Sequence, residues 1–502
     1  MNSVIKQYDV IVVGGGNAGF CAALSARENG SSVLLVEKGE EHESGGNSFY
    51  TAAAFRVVHD GGDALGSYFD AETQARLPET ELAPYTEGEF LDDLERVTEG
   101  RGDRTMAQVL AKGSREVVPW LASHGFVWRL MYERQAYFSE GKQVFFGGLA
   151  VSPVGGGKGL ISAHEEAAAN AGVHVRYGAE VTELLTEGEA VEGVRVAIAG
   201  GGEEEFHAKS VVLAAGGFEA NPRMREKHLG TGWDQAYVRG TPLNTGDVLE
   251  LALRHGASRH GDWSTCHSTA WDVAAPAAGG DRLLTNQYTR QSYPIGVVVN
   301  VMGMRFLDEG ADFRNYTYAK YGAQILAQPE GRAFQLYDSK TRSLLRREEY
   351  ESAGVTEFVA DSLHELAQAA GIDPGGLERT VHDFNASIEQ KPFDPAIKDG
   401  RAAHTEPPKS NWALELDSPP FYAYPVTCGI TFTFGGLKVD ESARVLSADG
   451  LPMGGLFAAG EIVGGLFSIN YPGGSGLTAG TVYGRLAGRE AAQYARAVAV
   501  AS

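Results

Sequence analysis

The sequence predicts an α/β fold in which two glycine-rich segments near opposite ends of the chain form one domain and the segment between them forms another. An apolar strand that begins near residue 9 runs directly into a glycine-rich loop, and a similar glycine-rich composition returns from residue 426. Between them, from about residue 263, aromatic and polar residues in irregular order replace the glycines. We therefore expect a Rossmann-like domain of residues 1–262 and 426–502, interrupted by an α+β capping domain of residues 263–425.

The first unit of the chain predicts a dinucleotide site. An apolar run over residues 9–13 leads into G-x-G-x-x-G at 14–19, and a second apolar run over 33–36 ends in Glu37. Such glycines let the backbone turn tightly and approach a pyrophosphate, whose charge is held by amides at the start of a helix. An acidic residue about 20 positions further on accepts hydrogen bonds from ribose hydroxyls. The predicted contacts are Gly14, Gly16, Asn17, Ala18, Gly19 and Glu37.

The remaining elements follow from periodicity and from glycine and proline positions. Helices are predicted at 106–124 and 158–171, and strands near 173–176, 191–198 and 210–214. In the capping domain, charged helices are predicted at 342–351, 361–370 and 376–389, before a proline-rich connector at 407–420.

Charge and cysteine usage exclude several classes of function. The 502 residues carry a formal net charge of −22, and no basic cluster suited to nucleic acid occurs. An anionic substrate must then be held by a few local arginines against an unfavourable overall field. Cys21, Cys266 and Cys428 form no C-x-x-C or iron–sulfur spacing, so we expect reduced thiols and no metal site.

The location is predicted from the apolar segments. No run of about 18 apolar residues occurs, so we expect no transmembrane helix and no stable membrane insertion. Seven residues of mixed polarity precede the first strand, too few for a signal peptide. We therefore expect a cytoplasmic protein.

Several further motifs resemble a known family. Gly-Gly-Asn-Ser at 45–48, the run at 212–217, Gly-Met-Arg-Phe-Leu-Asp-Glu at 303–309 and Ala-Gly-Glu at 459–461 are similar to the fumarate reductase/succinate dehydrogenase flavoprotein superfamily, and the similarity covers essentially the whole chain. The segments 45–48, 308–316 and 430–436 resemble its tricarballylate dehydrogenase-like branch. Tyr-Pro-Gly at 471–473 resembles the flavin-dependent ketosteroid Δ1-dehydrogenases.

The resemblance implies FAD as the cofactor and hydride transfer between a substrate carbon and flavin N5 as the reaction. Asn47 stands close to the position of the histidine that tethers FAD in succinate dehydrogenases, and an amide cannot form that bond. Noncovalent FAD is therefore expected. The further contacts that the resemblance implies are Lys38, Gly45, Gly46, Asn47, Ser48, Val181, Ala215, Gly216, Gly460, Glu461, Ser475, Gly476 and Leu477.

Three residues of the inserted segment are implied to act on the substrate. Arg314 lies in the element where fumarate reductases place their proton-transferring arginine, although a one-residue shift is needed to align it. Arg290 lies near a family arginine that contacts a substrate carboxylate, and His267 matches the substrate-binding histidine. Arginine suits a carboxylate because its planar fork gives two parallel charge-assisted hydrogen bonds.

The chain also departs from the fumarate reductases. Their second substrate histidine corresponds to Phe432 or Thr433, and their second carboxylate-binding arginine corresponds to Tyr471. In the ketosteroid dehydrogenases the matching tyrosine helps to polarise a ketone, so Tyr471 is implied to be catalytic. Thr433, Tyr316 and Gly474 are further candidate substrate contacts, and the candidate pocket tyrosines are Tyr132, Tyr137, Tyr316 and Tyr318.

These residues predict an FAD-dependent dehydrogenase that introduces a C=C bond beside a carboxylate or carbonyl, with a tricarballylate-like substrate. A desaturase of a cyclic ketone, such as an oxo-cyclohexanecarboxylate or a 3-ketosteroid, is the alternative. A flavin-binding module of an assembly or sensor is a third reading, which the arginine and histidine candidates disfavour. Because one complete dinucleotide fingerprint occurs, we expect an external electron acceptor, quinone-linked or another redox partner, rather than NAD.

Overall fold

The computed structural model describes residues 6–146, 148–188 and 190–501. The helices are α1 (Asn17–Glu28), α2 (Gly46–Phe49), α3 (Gly62–Leu65), α4 (Ala71–Arg76), α5 (Glu87–Val97), α6 (Arg104–Ser114), α7 (Val117–Ser123), α8 (Tyr132–Gln135), α9 (Gly156–Ala171), α10 (Pro222–Leu229), α11 (Asp247–Arg254), α12 (Tyr318–Leu326), α13 (Arg347–Tyr350), α14 (Leu363–Ala370), α15 (Pro374–Ala386) and α16 (Ser475–Ala501). The strands are β1 (Lys6–Val13), β2 (Val33–Val36), β3 (Thr80–Glu81), β4 (Trp128–Leu130), β5 (Ala136–Ser139), β6 (Lys142–Phe145), β7 (Val151–Pro153), β8 (His174–Arg176), β9 (Ala179–Glu187), β10 (Ala190–Ile198), β11 (Glu203–Leu213), β12 (Tyr237–Val238), β13 (Arg259–His260), β14 (Cys266–Asp272), β15 (Val297–Asn300), β16 (Ala333–Asp338), β17 (Phe358–Ala360), β18 (Phe421–Thr433), β19 (Gly436–Leu437), β20 (Arg444–Leu446) and β21 (Pro452–Ala458).

The larger sheet joins the two ends of the chain. Its main path runs β20-β21-β11-β1-β2-β8, with β10 and β9 added beside β11. The neighbours from β21 to β8 are parallel, and β1 is in register with β2 from Val10↔Val33 to Val13↔Val36. The central strands are apolar and buried on both faces, as expected of a parallel sheet covered by helices. Their carboxyl ends therefore meet at a single edge.

Helices α1 and α16 pack against each other beside this sheet. A Cβ added at Gly488 of α16 would lie 2.1 Å from the carbonyl oxygen of Ala22 on α1, so only glycine permits this close crossing. Alanines on both helices are fully buried at the contact, among them Ala22, Ala23, Ala487 and Ala491. The two ends of the chain thus share one core.

The inserted segment builds a second sheet around one long strand, β18. This strand pairs antiparallel with β14, β16 and β17 along its length and parallel with the short β12. Helices α14 and α15 contribute Leu366, Leu377 and Phe384 to a buried cluster against this sheet. The sheet also contains β12 and the final residues of β18, which the predicted boundaries place in the other domain, and the boundaries themselves stay a prediction.

Several predicted elements differ in extent from the observed ones. The helix predicted at 106–124 is two helices, α6 and α7, because Pro119 lacks the N–H that a continuous helix would need there. The helix predicted at 342–351 is a 3-10 turn, Arg342–Leu344, followed by α13. Leu345 and Arg346 between them are extended, which breaks the helix. Strand β9 was not predicted, because its sequence AEVTELLTE is rich in acidic residues.

The described residues contain no helix that is both long enough and apolar enough to cross a bilayer. The three cysteines are free and buried. Within the same described ranges, no group of three or more His, Cys, Asp or Glu side chains could hold a metal ion.

Candidate active site

A long cavity follows the edge where the parallel strands of the larger sheet end. The loops after β1, β2, β11 and β21 all line it, and the second sheet and the residues before α16 close its far side. Ligands of open α/β sheets bind at this edge, outside the carboxyl ends of the strands. We describe the cavity as two halves, a cofactor half at the strand ends and a substrate half beneath β14, β18 and α12.

The glycine loop after β1 shapes the cofactor half. Gly14 has φ +107°, and a Cβ there would lie 2.4 Å from the carbonyl oxygen of Ala214 after β11. Two helices, α1 at Asn17 and α16 at Ser475, begin beside this loop. The N-terminus of a helix attracts a phosphate through its unpaired amides and its dipole. A pyrophosphate placed here is approached by both helices.

Glu37 lies at one end of the cofactor half, after β2. Its carboxylate accepts hydrogen bonds from the amides of Gly15, at 2.6 Å, and Gly39, at 2.7 Å. Burial raises its pKa, although both amides oppose this shift. Val181 on β9 lines the same end. A continuous lining that includes the carboxylate of Glu37, the starts of α1 and α16 and the polar residues of the substrate half suits an extended dinucleotide.

Two carboxyl groups, the buried Glu219 and the half-buried Glu461, meet where the halves join. The Asn47 amide Nδ2 donates to Glu219 Oε1 at 2.6 Å, and the Thr433 amide donates to Glu461 Oε1 at 2.8 Å. Burial, together with the neighbouring charge of Glu219, raises the pKa of Glu461 well above its usual range. Burial also raises the pKa of Glu219. Both shifts favour the protonated form, and a proton lets the two side chains share a hydrogen bond.

Most predicted cofactor contacts line the cavity. They are Gly14, Gly16, Asn17, Ala18, Glu37, Lys38, Gly46, Asn47, Ser48, Val181, Ala215, Gly216, Gly460, Glu461, Gly476 and Leu477. Gly19, Gly45 and Ser475 do not line the cavity, but each contacts a neighbouring segment of the structure. Gly19 packs against the carbonyl of Gly14, Gly45 packs against Ile161, and the Ser475 hydroxyl donates to the carbonyl of Pro472 at 2.6 Å.

The substrate half centres on two phenols, those of Tyr318 and Tyr471. Their hydroxyl groups form a short hydrogen bond, which brings together the start of α12 and the loop before α16. Burial, followed by the nearby Tyr318, raises the pKa of Tyr471 well above its usual range, so Tyr471 keeps its proton and can donate it in a hydrogen bond. The loop is held by the amide of Gly473, which donates to the carbonyl of Asn315 at 2.7 Å.

His267 on β14 packs against this phenol pair. Its ring centre lies 4.8 Å from that of Tyr471 and 4.9 Å from that of Tyr318, and Phe432 on β18 covers another side. Burial and the charge of Arg239 lower its pKa well below the usual range, so the imidazole is neutral. Neither ring nitrogen has a hydrogen-bond partner among the described residues.

Two guanidinium groups, those of Arg314 and Arg239, face the same space. Arg314 begins the 3-10 turn before α12 and donates to Gln291 Oε1 at 2.9 Å; burial and the charges of Arg346 and Arg134 lower its pKa to about 9. Arg239 follows β12 and donates to Thr431 Oγ1 at 2.8 Å. In the described part of the chain, neither has a carboxylate oxygen within 4.0 Å.

Two predicted substrate contacts do not reach the cavity. Arg290 is fully buried in an ion pair with Asp272, at 2.7 Å, and its guanidinium also donates to backbone carbonyls, so its charge is already satisfied within the capping sheet. The hydroxyl of Tyr316 donates to Asp93 Oδ2 at 2.6 Å, which turns it away from the cavity. Of the tyrosines proposed to line the pocket, Tyr318 does so, whereas Tyr132 and Tyr137 do not. His267, Arg314, Tyr471, Thr433 and Gly474 all line it.

Arg239, Arg134 and Gln291 are polar residues of the substrate half that the sequence did not predict. Arg239 stands in no motif, directly after the two-residue strand β12, and only its side-by-side pairing with β18 brings it to the cavity. Arg134 and Gln291 also line the cavity and are equally unmarked in sequence. The one available signal was that Gln291 adjoins Arg290, in the segment where a substrate contact was expected.

Comparisons with known proteins agree with this geometry. The family described as FAD binding domain matches residues 9–477. A probable fumarate reductase of Shewanella frigidimarina is 30% identical over 97% of this chain and 75% of its own length. The 4-oxocyclohexanecarboxylate 2-dehydrogenase of Sinomonas cyclohexanicum is 28% identical over 99% of this chain and 96% of its own length.

The solved structure of an open flavocytochrome c3 fumarate reductase superimposes with a TM-score of 0.72 at 26% identity, over 98% of this chain and 79% of that one. The family match, the fold and the lining of the cofactor half therefore agree on FAD as the cofactor and on oxidoreduction of a carbon–carbon bond as the class of reaction. The chain belongs to the FAD-binding flavoproteins of the fumarate reductase/succinate dehydrogenase superfamily.

Proposed function

We propose that this protein is a dehydrogenase that introduces a C=C bond beside the ketone of a small oxo-carboxylate. The observation that carries the proposal is the composition of the substrate half. One buried space holds a hydrogen-bonded pair of phenols, Tyr318 and Tyr471, together with two guanidiniums, Arg239 and Arg314, that lack a carboxylate partner in the described residues. Phenols suit a ketone oxygen, and guanidiniums suit a carboxylate.

Tyr471 is the group we assign to the ketone oxygen. Its phenol stays protonated, and Tyr318 can donate to it, which leaves the Tyr471 proton free to point at a substrate carbonyl. A hydrogen bond to that oxygen stabilises the enolate that forms as the neighbouring carbon loses a proton. The oxidation is complete when a hydride leaves the next carbon with the electron pair of its C–H bond. The electron pair that the departing proton left on the enolate then forms the C=C bond. FAD, when bound, supplies the acceptor of this hydride.

Arg314 stabilises the charge that develops in this step. Its guanidinium lies 5.7 Å from the Tyr318 ring centre and belongs to a charge cluster in which three guanidiniums, those of Arg314, Arg134 and Arg346, face two carboxylates, those of Glu348 and Glu349. Fixed charges in a buried site act strongly, because little water is present to screen them. Gln291 and the backbone carbonyl of Arg134 hold its guanidinium in place.

The relatives favour an oxo-carboxylate over a tricarboxylate. The relative named 4-oxocyclohexanecarboxylate 2-dehydrogenase matches this chain over nearly the full length of both proteins. Its named substrate carries one ketone and one carboxylate, which corresponds to the two kinds of polar group in the substrate half. Tricarballylate has no ketone for Tyr471 to polarise.

A dye-linked, anaerobic assay tests the proposal. It should compare 4-oxocyclohexanecarboxylate, cyclohexanone, tricarballylate and succinate as electron donors. We expect the oxo acid to be oxidised fastest, and we expect Tyr471→Phe to lower its turnover by about 100-fold, the usual cost of one directed contact to a developing oxyanion. Oxidation of tricarballylate or succinate without oxidation of the oxo acid would overturn the proposal.

The cofactor's attachment and electron acceptor belong to the same proposal. We infer noncovalent FAD, because the Asn47 side chain is an amide already engaged with Glu219 and the carbonyl of Thr431. Acid precipitation should release the yellow colour into the supernatant, and flavin retained by the polypeptide would contradict this.

We also infer a cytoplasmic enzyme that passes electrons to an external acceptor. Artificial dyes should therefore support turnover, whereas NAD⁺ should not.

A further inference from the structure

The position of Arg239 extends the proposed function to substrate selection. Its side chain is only 9% exposed, and its Nε has no hydrogen-bond partner in the described part of the chain. One terminal nitrogen donates to Thr431 Oγ1 at 2.8 Å and the other to Asn286 Oδ1. Both partners are neutral oxygens, so they fix the orientation of the guanidinium and leave its charge unpaired.

Arg239 differs in this respect from Arg134, which also lines the cavity. Arg134 forms ion pairs with Glu348 and Glu349 at 2.9 and 2.8 Å. Arg314, like Arg239, has no carboxylate oxygen within 4.0 Å among the described residues, but it belongs to the cluster of Arg134, Arg346 and Glu349. The ring centre of Trp271 lies 5.7 Å from Arg239, and the phenols of Tyr318 and Tyr471 and the neutral His267 are close to it. The charges of Arg134 and Glu349 also act on Arg239 but in opposite directions, and no carboxylate oxygen of the described residues lies within 4.0 Å of it. A buried charge is costly unless it is paired. The missing partner of Arg239 is therefore an anion.

We propose that Arg239 binds the carboxylate of the substrate and makes the enzyme selective for oxo acids over neutral ketones. This inference rests on the proposed function. The Nε–H and the remaining N–H groups of Arg239 can form the paired hydrogen bonds that a carboxylate accepts. Tyr471, close enough to interact with the Arg239 charge, receives the ketone of the same molecule. The two contacts fix both ends of a small substrate, and Arg314 is left to act on the enolate.

A pair of substrates separates recognition of the charge from the chemistry. We expect the wild-type enzyme to oxidise 4-oxocyclohexanecarboxylate with a much higher kcat/KM than its methyl ester. In Arg239→Met, kcat/KM for the acid should fall by about 100-fold, the size of a directed charge-assisted contact in a buried site, whereas the value for the ester should stay within a few-fold. Arg239→Lys should recover part of the preference, because it restores the charge without the fork.

Arg225→Lys is the matched control. Arg225 is also buried and donates to the carbonyls of Trp233, Glu219 and Asp234, but it does not line the cavity. Its replacement should leave the ratio of acid to ester unchanged. Equal losses for acid and ester in Arg239→Met, or no loss for either, would overturn the inference.

A binding measurement keeps the test independent of catalysis. Cyclohexanecarboxylate has the charge but no ketone, and its binding to the FAD-loaded protein can be followed by flavin absorbance and tryptophan fluorescence. The wild type should bind it and Arg239→Met should bind it at least about tenfold more weakly, as expected for one lost ionic hydrogen bond. If the wild type oxidises neither substrate, the proposed function fails, and this titration still decides the role of Arg239. Equal binding by both proteins would refute that role.

Discussion

The two halves of the cavity are built in different ways. The cofactor half consists largely of backbone at the ends of β1, β2, β11 and β21, where glycines set the path of the chain. The substrate half consists of side chains from β14, β18, the 3-10 turn Arg314–Tyr316, α12 and the loop before α16. A site built from backbone must keep a local sequence pattern. A site built from side chains requires only that distant residues converge, and it can change its chemistry without changing the fold.

The largest effect should come from adding a single methyl group to the cofactor half. Gly14→Ala combines φ +107° with a Cβ 2.4 Å from the carbonyl oxygen of Ala214, so the loop must move away from its phosphate-binding path. We expect purified Gly14→Ala protein to lack FAD, as measured by the ratio of flavin to protein absorbance.

Gly30→Ala is the matched control for this change. Gly30 also has a positive φ, +83°, and lies in the same β1-α1-β2 unit, but a Cβ there meets nothing within 4 Å. This variant should keep its flavin. Normal FAD content in Gly14→Ala would contradict this prediction, because it would show that the cofactor half accepts a side chain at residue 14.

A smaller effect, confined to turnover, should follow from a change in the substrate half. Arg314→Lys keeps a positive charge but loses the planar fork that Gln291 and the Arg134 carbonyl position. We expect turnover to fall by at least about 100-fold, the typical cost of a directed transition-state contact, while FAD content stays at the wild-type level.

Arg290→Lys tests whether any buried arginine of the capping sheet would give the same result. Because Arg290 is paired with Asp272 outside the cavity, turnover per bound flavin should stay close to that of the wild type. A wild-type rate in Arg314→Lys, or a 100-fold loss in Arg290→Lys, would reverse our assignment of these two residues.

The smallest expected effect concerns pH and stability. His164 is fully buried, contacts Asn17 Oδ1 through Nε2 at 2.9 Å, and burial together with the charge of His124 lowers its pKa to about 3. In the unfolded chain His164 binds a proton below its ordinary pKa of about 6.5. In the folded chain it stays neutral down to about pH 3, so between these two pH values the unfolded state binds more protons than the folded state. Stability is therefore lost as the pH falls through this window.

Thermal unfolding between pH 7 and pH 4 measures this contribution. In His164→Gln the midpoint should fall less steeply with decreasing pH than in the wild type. His42→Gln, which changes an exposed histidine, should follow the wild-type curve. Parallel curves for all three proteins would show that His164 does not contribute to acid sensitivity.

The same contrast explains how much of the fold was predictable. The β1-α1-β2 unit, the interrupted domain and the return of the last segment to the first sheet all follow from glycine spacing and apolar runs, which act locally. Where non-local pairing decides the structure, the prediction was incomplete. The acidic strand β9 is stabilised by its pairing with β10, and the break between Arg342–Leu344 and α13 depends on extended residues that no propensity signals.

The same distinction, between local motifs and non-local pairing, applies to the residues of the candidate site. Residues of the cofactor half such as Gly14 and Glu37 could be placed on the cavity from motifs. The resemblance pointed to Arg314, Tyr471 and His267 through the sequence of their neighbours, and all three line the cavity; their roles stay a prediction. Sequence does not reveal that Arg290 forms an ion pair with Asp272 away from the cavity lining, and Arg239 was not predicted because its place depends on the pairing of β12 with β18.

The joining of the two chain ends in one sheet also sets an order of events during protein synthesis. Strands β1, β2 and β11 leave the ribosome early, but their neighbour β21 and the covering helix α16 follow only after the whole capping segment has been made. At about 5–20 residues per second, the half-built sheet waits on the order of tens of seconds with one apolar edge unpaired. FAD cannot be enclosed before β21 and α16 have been made, so the cofactor cannot stabilise the first part of the sheet during synthesis.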